Sequence, residues 1–504
     1  GDIDWLDPQR WYFTTTWGIA NALCTNLVRY ADADGAASTA LVPGIADLPQ
    51  VSDDGTTYNF TIKDGAKFAD GSQITGADIR YTLTRQLTPA VDNGTGGYFM
   101  GIAGAEEYNA GTAKDVSGIA ADGNTVTITL KAADGAFLNK LAMPDVCPVK
   151  EGAKLEPDEA GELLKTMATG PYRIDSYTPG QELKLVRNEG YDPALLGQRG
   201  MADTIDFDLN VDATQAALKI RSGDIDVYGG NLPPADVQQA QDDASLAGRV
   251  FTVARPGTVY LWLNNDVPPL DNVKVRQAIN YAIDRTQVQR VWGGPAAGAI
   301  TDQIMPVGAV PATQRYEAYP DAGDLDKAKQ LMQEAGVQTP VKLVIRARDD
   351  APGFVEAAQV VQESLKKIGI DLELKTAPDS VNDPIIQKRK NRVPMGINQW
   401  SQDFPDGESW INALLDPRAA DSPSNRARFH DLAIVPDLER IAGLSGDERA
   451  QAYADLDRKL MTDYAPWAPL INPVKGDIVS ERTGGYMYSL AYDAVNYPML
   501  TVAG

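Results

Sequence analysis

Residues 396–410 read GINQWSQDFPDGESW, which puts Asp403 three places after Trp400, with Trp410 closing the segment. A carboxylate among aromatic rings can accept from a cation that water no longer solvates, because burying an ammonium unpaired is prohibitively unfavourable. The plainer alternative is a strand leaving the core, with Asp403 solvated or capping a turn. Other chemistries lack their residues. A single histidine, His430 in RARFHDL, leaves no two-histidine metal site and no H-E-x-x-H motif, and it argues against a His-based triad. No G-x-x-x-x-G-K-[ST] loop occurs, and NGTGGYFMG (93–101) fails the G-x-G-x-x-G spacing. Paired carboxylates of the glycosidase kind stay open with 69 acidic residues, since pairing in space is invisible in a sequence. No metal or cofactor is expected.

The elements that would position Asp403 follow an α/β rhythm. Asp324 precedes LDKAKQLMQEAG, whose Leu325, Ala328, Leu331, Met332 and Ala335 form one helical stripe, and Gly336 stops it. VKLVIRA reads as a buried strand, FVEAAQVVQESLKKIG (354–369) as a second amphipathic helix, and IDLELKT as another strand. Helix and strand alternating at this spacing predict a sheet covered by helices, with 396–403 the next strand. Upstream, VKVRQAINYAIDRTQV presents Val275, Ala278, Ile279, Ala282 and Ile283 on one helical face after the strand TVYLWLNND (258–266). The first third is different in texture. VSDDGTTYNFTIKDGAKFADG (51–71) and GNTVTITLK (123–131) alternate apolar and polar residues around Asp-Gly turns, and ADIRYTLTRQL between them is helical. TGPYRIDSYTPGQELKLVRNEGYD (169–192) predicts a hairpin at Pro179-Gly180, and TIDFDLN, a helix through 216–222, and DIDVYGG predict a strand–helix–strand unit.

A chain of 504 residues outgrows one core, so two or three subdomains are expected. Its 46 basic and 69 acidic residues give a net charge of -23, which repels phosphate backbones and anionic lipid; no nucleic-acid partner is expected. No run of about 18 apolar residues is present, so no transmembrane helix is expected. The opening GDIDWLDP lacks an initiator Met and a leader, which fits either a removed leader or a chain cut short. Cys24 and Cys147 are the only cysteines, unpaired in an intracellular enzyme or a candidate disulfide in an exported protein.

Five segments in order resemble one family, the extracellular solute-binding proteins of the peptide/nickel class that feed ABC importers. They are SDDGTTYNFTIKDGAKFADGSQITGADIRYTL (52–83), ATGPYRIDSYTPGQELKLVRNEGYD (168–192), SGDIDV (222–227), LNNDVPPLDNVKVRQAINYAIDR (263–285) and DKAKQLMQEAG. The resemblance implies an α/β, two-lobed periplasmic-binding-protein-like fold with an additional small α+β subdomain. On this reading, 1–30, 170–255 and 473–504 form a discontinuous lobe, 31–169 the inserted subdomain, and 256–472 the other lobe. It implies an extracellular location, cell-surface anchored or periplasmic, with a lipid anchor before Gly1 as the one possible membrane attachment. A monomer with a peptide ligand and ABC importer permease subunits as partners is expected, and no enzyme activity. Export implies that Cys24 and Cys147 are joined.

Peptide-binding members place an aspartate after a tryptophan and two residues, and there it meets the ligand's α-ammonium. The matching residues here are Trp400, Ser401, Gln402 and Asp403. Further ligand-binding candidates by position are Thr16 and Trp17, Tyr98, Asn231, and Tyr260 with Trp262, against simple packing for each aromatic. The segment departs from the family in FPDGESW, where many members carry Asp-Pro, and in lacking an arginine before Trp400; Arg255 and Arg348 are unsupported guesses for reading a ligand carboxylate. An oligosaccharide-binding receptor, using the eight tryptophans as stacking platforms, and a carboxylate-dependent hydrolase are the alternatives.

Overall fold

Antiparallel hairpins build the first of two units seen in the computed structural model, which describes residues 3–308 and 313–503. That unit comprises Gly1–Pro233, Ser245–Val250 and Asp477–Gly504; the second comprises Pro234–Ala244 and Phe251–Gly476. In the first, β1 (Gln50–Val51), β2 (Thr57–Thr61), β3 (Ile119–Asp122) and β4 (Thr125–Thr129) pair in the order β1-β2-β4-β3. The alternation buries Tyr58, Phe60, Val126 and Ile128. The helix Gly76–Gln86 starts with a reciprocal cap between Thr75 and Asp78. Its Arg85 makes a fully buried two-pronged pair with Asp7, at 3.0 and 2.7 Å, that ties the N-terminal segment down.

A second sheet in this unit has the order β5 (Tyr172–Thr178), β6 (Glu182–Arg187), β7 (Thr204–Asp208). Gly180 turns the first hairpin at φ +65°, a conformation open to glycine and strained for other residues. The expected strand–helix–strand unit is only partly formed. The helix Ala213–Ser222 follows β7, but residues 225–228 do not join the sheet, and Val227 makes one isolated bridge to Val479. The reason is a long-range contact: Asp226 is held on the 480–483 turn by Ser480 and Arg482, and its carbonyl accepts from the Ser480 N–H. Cys24 and Cys147 are joined as a disulfide, their Cα atoms 5.5 Å apart, linking the end of the helix Thr14–Leu23 to residue 147.

The second unit is a helix-covered seven-stranded sheet. Its strands are β8 (Val250–Ala254), β9 (Gly257–Leu263), β10 (Gly298–Ile300), β11 (Val341–Arg348), β12 (Ile370–Ala377), β13 (Met395–Ser401) and β14 (Trp467–Ile478). The order is β8-β14-β9-β13-β11-β12, with β10 on β14. Parallel β11 and β12 flank the helix Phe354–Lys366, the α/β signal read from the sequence. One expected helix is two: Val273–Ala282 ends at Ile283, and Asp284 caps Arg285–Trp292 by accepting from the Thr286 and Gln287 N–H groups.

Candidate ligand-binding site

β13 is hydrogen-bonded unequally on its two sides. Against β9 it pairs along its whole length, from Met395 opposite Leu263 to Ser401 opposite Gly257. Against β11 it pairs only at Met395 and Gly396. From Ile397 to Ser401, therefore, the strand has a strand partner among the described residues on the β9 side alone. Gly396 sits where the two ladders crowd: a Cβ there would lie 2.7 Å from the Arg346 carbonyl oxygen and 2.8 Å from the Trp262 ring.

The loop after β13 is braced from several directions. The Gln402 N–H donates to the Pro256 carbonyl at 3.1 Å. Trp400 is half-buried and its Nε1 donates to the Ser409 carbonyl at 3.0 Å, while Ser409 Oγ donates to the Phe404 carbonyl at 2.8 Å. Asp406 accepts from the Glu408 N–H and starts the short turn Gly407–Ser409. From the helix Gly446–Lys459, buried Arg449 grips Asp406 through two nitrogens, at 2.8 and 3.0 Å, and Glu408 at 2.8 Å. Burial works to discharge this guanidinium, but Asp406 and Glu408 overcome it and hold its pKa above the ordinary range. Asp403 is the carboxylate that this bracing sets, 7% exposed, with Trp410 fully buried in the same loop.

Ser401 ends β13 opposite Gly257, and Gln402 is buried. Tyr260 and Trp262 are each 1% exposed. The Tyr260 ring stacks on Trp467, centroids 3.6 Å apart, and its hydroxyl accepts from the Asn398 amide. The remaining candidates belong to the first unit. Thr16 and Trp17 are buried in the first helix, whose start Asp4 organises by accepting from the Tyr12 and Phe13 N–H groups and the Thr16 hydroxyl. Tyr98 is half-buried on the turn Gly96–Phe99, and Asn231 is exposed outside any helix or strand. Arg348 is engaged by Asp350 and Asp379. His430 is exposed, its Nδ1 2.8 Å from the Arg428 carbonyl oxygen. Among the described residues no group of three His, Cys, Asp or Glu could hold a metal ion, and no helix is long and apolar enough to cross a membrane. Arg449 went unnoticed in the sequence: it lies 43 residues from Asp406 in an ordinary helical pattern, and nothing local marks it.

Residues 40–422 match the family described as bacterial extracellular solute-binding proteins, family 5, middle. The chain is 29% identical to heme-binding protein A of Haemophilus influenzae, over 91% of this chain and 84% of that one. It is 25% identical to the dipeptide-binding protein of Escherichia coli K12, over 97% and 90%. Among solved structures, a clavulanic acid biosynthesis oligopeptide binding protein 2 superposes with a TM-score of 0.92 at 24% identity, covering 100% of this chain and 94% of that one. The Haemophilus influenzae OppA complex with RPPGFSPFR superposes with a TM-score of 0.78 at 20% identity, covering 100% and 98%. The expected periplasmic-binding-protein-like α/β fold is thereby borne out. The match to 40–422 spans most of the chain, which belongs to the bacterial extracellular solute-binding proteins, family 5.

Proposed function

We propose that this chain is the capture receptor of an ABC importer and takes peptides in extended form, without catalysing a reaction on them. The observation that carries the reading is β13: among the described residues its second half has a strand on one side only, and it runs straight into a buried carboxylate. An extended ligand can add to that edge through its backbone, which gives affinity with little regard to side chains. Asp403 then accepts from the ligand's α-ammonium, with Trp400, Ser401 and Gln402 around the ligand's first residues. Thr16, Trp17, Tyr98, Asn231, Tyr260 and Trp262 are the further contacts in this proposal. The two lobes close over the ligand, with 31–169 as the small subdomain, and ligand shifts the open–closed population. The receptor acts as a monomer outside the cytoplasmic membrane and hands its cargo to the permease subunits. Relatives named for dipeptide and oligopeptide binding support this choice of ligand.

The test is binding of one peptide in free and N-acetylated form to the wild type and to Asp403→Asn, with hemin and an oligosaccharide mixture as further arms. Asn keeps the shape but leaves the ammonium facing a neutral amide. Breaking one half of such a pair costs about 2–5 kcal/mol, roughly 30-fold to several-thousand-fold in affinity. Acetylation is expected to weaken binding to the wild type by that much and to the variant far less, because the cycle isolates the pair. Equal binding of both forms by the wild type, or binding of hemin or oligosaccharide alone, would overturn the proposal.

A further inference from the structure

β11 and β12 turn opposite faces to different surroundings. Ile345, Ala347, Ile370 and Leu372 point into the aliphatic core of the second unit. The alternate residues point the other way: Lys342, Val344 and Arg346 on β11, with Asp371, Glu373 and Lys375 beside them in parallel register on β12. Between this face and residues 385–394 lies a groove of about 680 Å³, walled by Ile385, Val393 and Pro394. The groove is built wholly from the second unit, and none of its lining residues is among the ligand contacts proposed above.

The groove is basic in a chain whose net charge is -23. Lys342, Arg346, Lys375 and Arg392 line it against Asp371 and Glu373. Of these cations only Lys375 has an ion pair among the described residues, with Glu373 at 3.5 Å, although Asp371 stands opposite Lys342 in register. Arg346 donates to the Asn382 side-chain oxygen at 2.8 Å and Arg392 to the Asp266 carbonyl at 2.6 Å. Both acceptors are neutral, so they hold the guanidinium groups without offsetting their charge. Arg392 takes φ +44°, a left-handed conformation that favours glycine, and so turns the chain between the wall and the exposed run Lys388-Arg389-Lys390. Asp266 and Asp421 engage Arg389; Lys388 and Lys390 have no ion-pair partner among the described residues.

Uncompensated charge calls for an anionic partner, and range decides which. Charges more than about 8–10 Å apart are screened at physiological salt, so a short acidic segment in the groove meets these cations and not the net charge of the whole chain. A bilayer or a nucleic acid spreads its phosphates well beyond the groove and meets the acidic remainder of the surface too. The wall favours the same choice, because Ile385, Val393 and Pro394 can pack against aliphatic side chains, which a row of phosphates lacks. The outer edge of β12 is a poor seat, since Asp371 and Glu373 would stand beside the segment's own carboxylates.

We propose that this groove is a docking site for an acidic polypeptide segment in which Glu or Asp alternates with aliphatic residues, lying over β11 and along the 385–394 wall. The segment's carboxylates meet Lys342, Arg346 and Arg392, charge-assisted contacts that Lys388 and Lys390 reinforce on approach. Its aliphatic side chains pack against Val344, Ile385 and Val393. A basic segment of the same shape is rejected. The site does not use Asp403 and stands or falls apart from ammonium capture.

The probe is the hexapeptide EVEVEV, acetylated and amidated so that it carries no terminal charge, with KVKVKV as its charge-reversed counterpart. EVEVEV is expected to bind the wild type at least about tenfold more tightly than KVKVKV, with affinity falling as salt is added. Lys342→Gln with Lys390→Gln, both exposed, should weaken EVEVEV by about tenfold and leave binding of free Ala-Ala-Ala, which reads the Asp403 site, unchanged. EVEVEV carrying photo-leucine at its central valine should label the wild type within 342–346 or 385–394, a readout that stands even if the double variant folds poorly. Phosphatidylglycerol vesicles should not displace it. Equal affinity for the two hexapeptides, undiminished binding to a folded double variant, labelling at 397–410 in place of the groove, or displacement by the vesicles would each overturn the proposal.

Discussion

The two faces of the seven-stranded sheet are built by different rules, and β9 shows both within seven residues. Val259, Leu261 and Leu263 point into a cluster of aliphatic side chains from β11, β12, β13 and the helices Val273–Ala282, Leu325–Glu334 and Phe354–Lys366. Tyr260 and Trp262 point the other way, into a cluster with Trp410, Trp467, Tyr319 and Tyr453. The aliphatic face is closed by long regular helices whose stripes fit the sheet. The aromatic face is closed by the segments 301–308, 313–319 and 404–464, loops and helices that include Gly446–Lys459, and buried polar anchors tie them together. Arg449 is one, holding Asp406 and Glu408. Asp457 is another, accepting from the Ile304 and Met305 N–H groups and the Tyr316 hydroxyl at 3.0, 2.8 and 2.8 Å. Burial secures both faces, and the aromatic one adds the charged anchors Arg449 and Asp457. The candidate ligand carboxylate lies in a loop of the second kind.

The largest effect should come from cutting the strongest anchor. Arg449→Met leaves Asp406 and Glu408 without their cation, and breaking a buried pair from one side costs about 3–5 kcal/mol. Leu261→Ala on the opposite face should cost a similar amount, about 2–5 kcal/mol, through a cavity. Urea denaturation will not tell them apart. Peptide titration under conditions where both remain folded will: Arg449→Met is expected to lose affinity because its loop carries Asp403, and Leu261→Ala to keep it. Equal affinities would dissolve the functional half of the contrast.

Acid should act in the opposite sense on a different anchor. Burial pushes the Asp457 carboxyl up to about 6, against the lowering hydrogen bonds from Met305, Ile304 and Tyr316. The folded state thus holds a proton that the unfolded chain releases. The ionised group is unfavourable above about pH 6, and the penalty is relieved as the pH falls toward the ordinary carboxylate range. Asp145 in the first unit, fully buried against Thr95 and Gln86, is also pushed up to about 6 by burial. Relative to Asp457→Asn, the wild type should gain roughly 1–2 kcal/mol of stability between pH 7 and pH 4.5. Asp145→Asn should show a comparable difference. A flat difference across that range would mean that these carboxyls titrate normally.

The same contrast explains what could be read from the sequence. Helices 325–334 and 354–366 and strands 341–348 and 370–377 announced themselves, because a repeating apolar stripe flanked by caps and glycines is local information. Strand 395–401 was expected as the next strand of that alternation, whereas Asp403 was singled out by the family resemblance and not by local pattern. The break at Ile283 was missed because the apolar spacing runs through it, and only Asp284, a residue equally at home on a helix surface, marks the second start. The separation of 225–228 from β7 depends on Asp226 meeting Ser480 and Arg482, more than 250 residues away. Nor could spacing tell that Tyr260, on an alternating strand, would have Trp467 against its ring.

Tyr260 gives the smallest and sharpest test. Its hydroxyl accepts from the Asn398 amide at 3.2 Å, and its ring is packed on Trp467, so Tyr260→Phe removes one hydrogen bond and little else. A neutral hydrogen bond of this kind is worth about 0.5–1.5 kcal/mol net. If Tyr260 serves the aromatic face alone, Tyr260→Phe should lower stability by that amount and leave peptide affinity unchanged. Asn398→Ala should then couple to it by a similar energy in a double-mutant cycle, because the two side chains share the bond. If Tyr260 touches the ligand, as its position in the family-like segment suggests, affinity should drop by about fivefold or more with stability nearly intact. The first result would leave ligand contact on this face to β13 and its loop; the second would extend the site across β9 to the packed aromatic cluster itself.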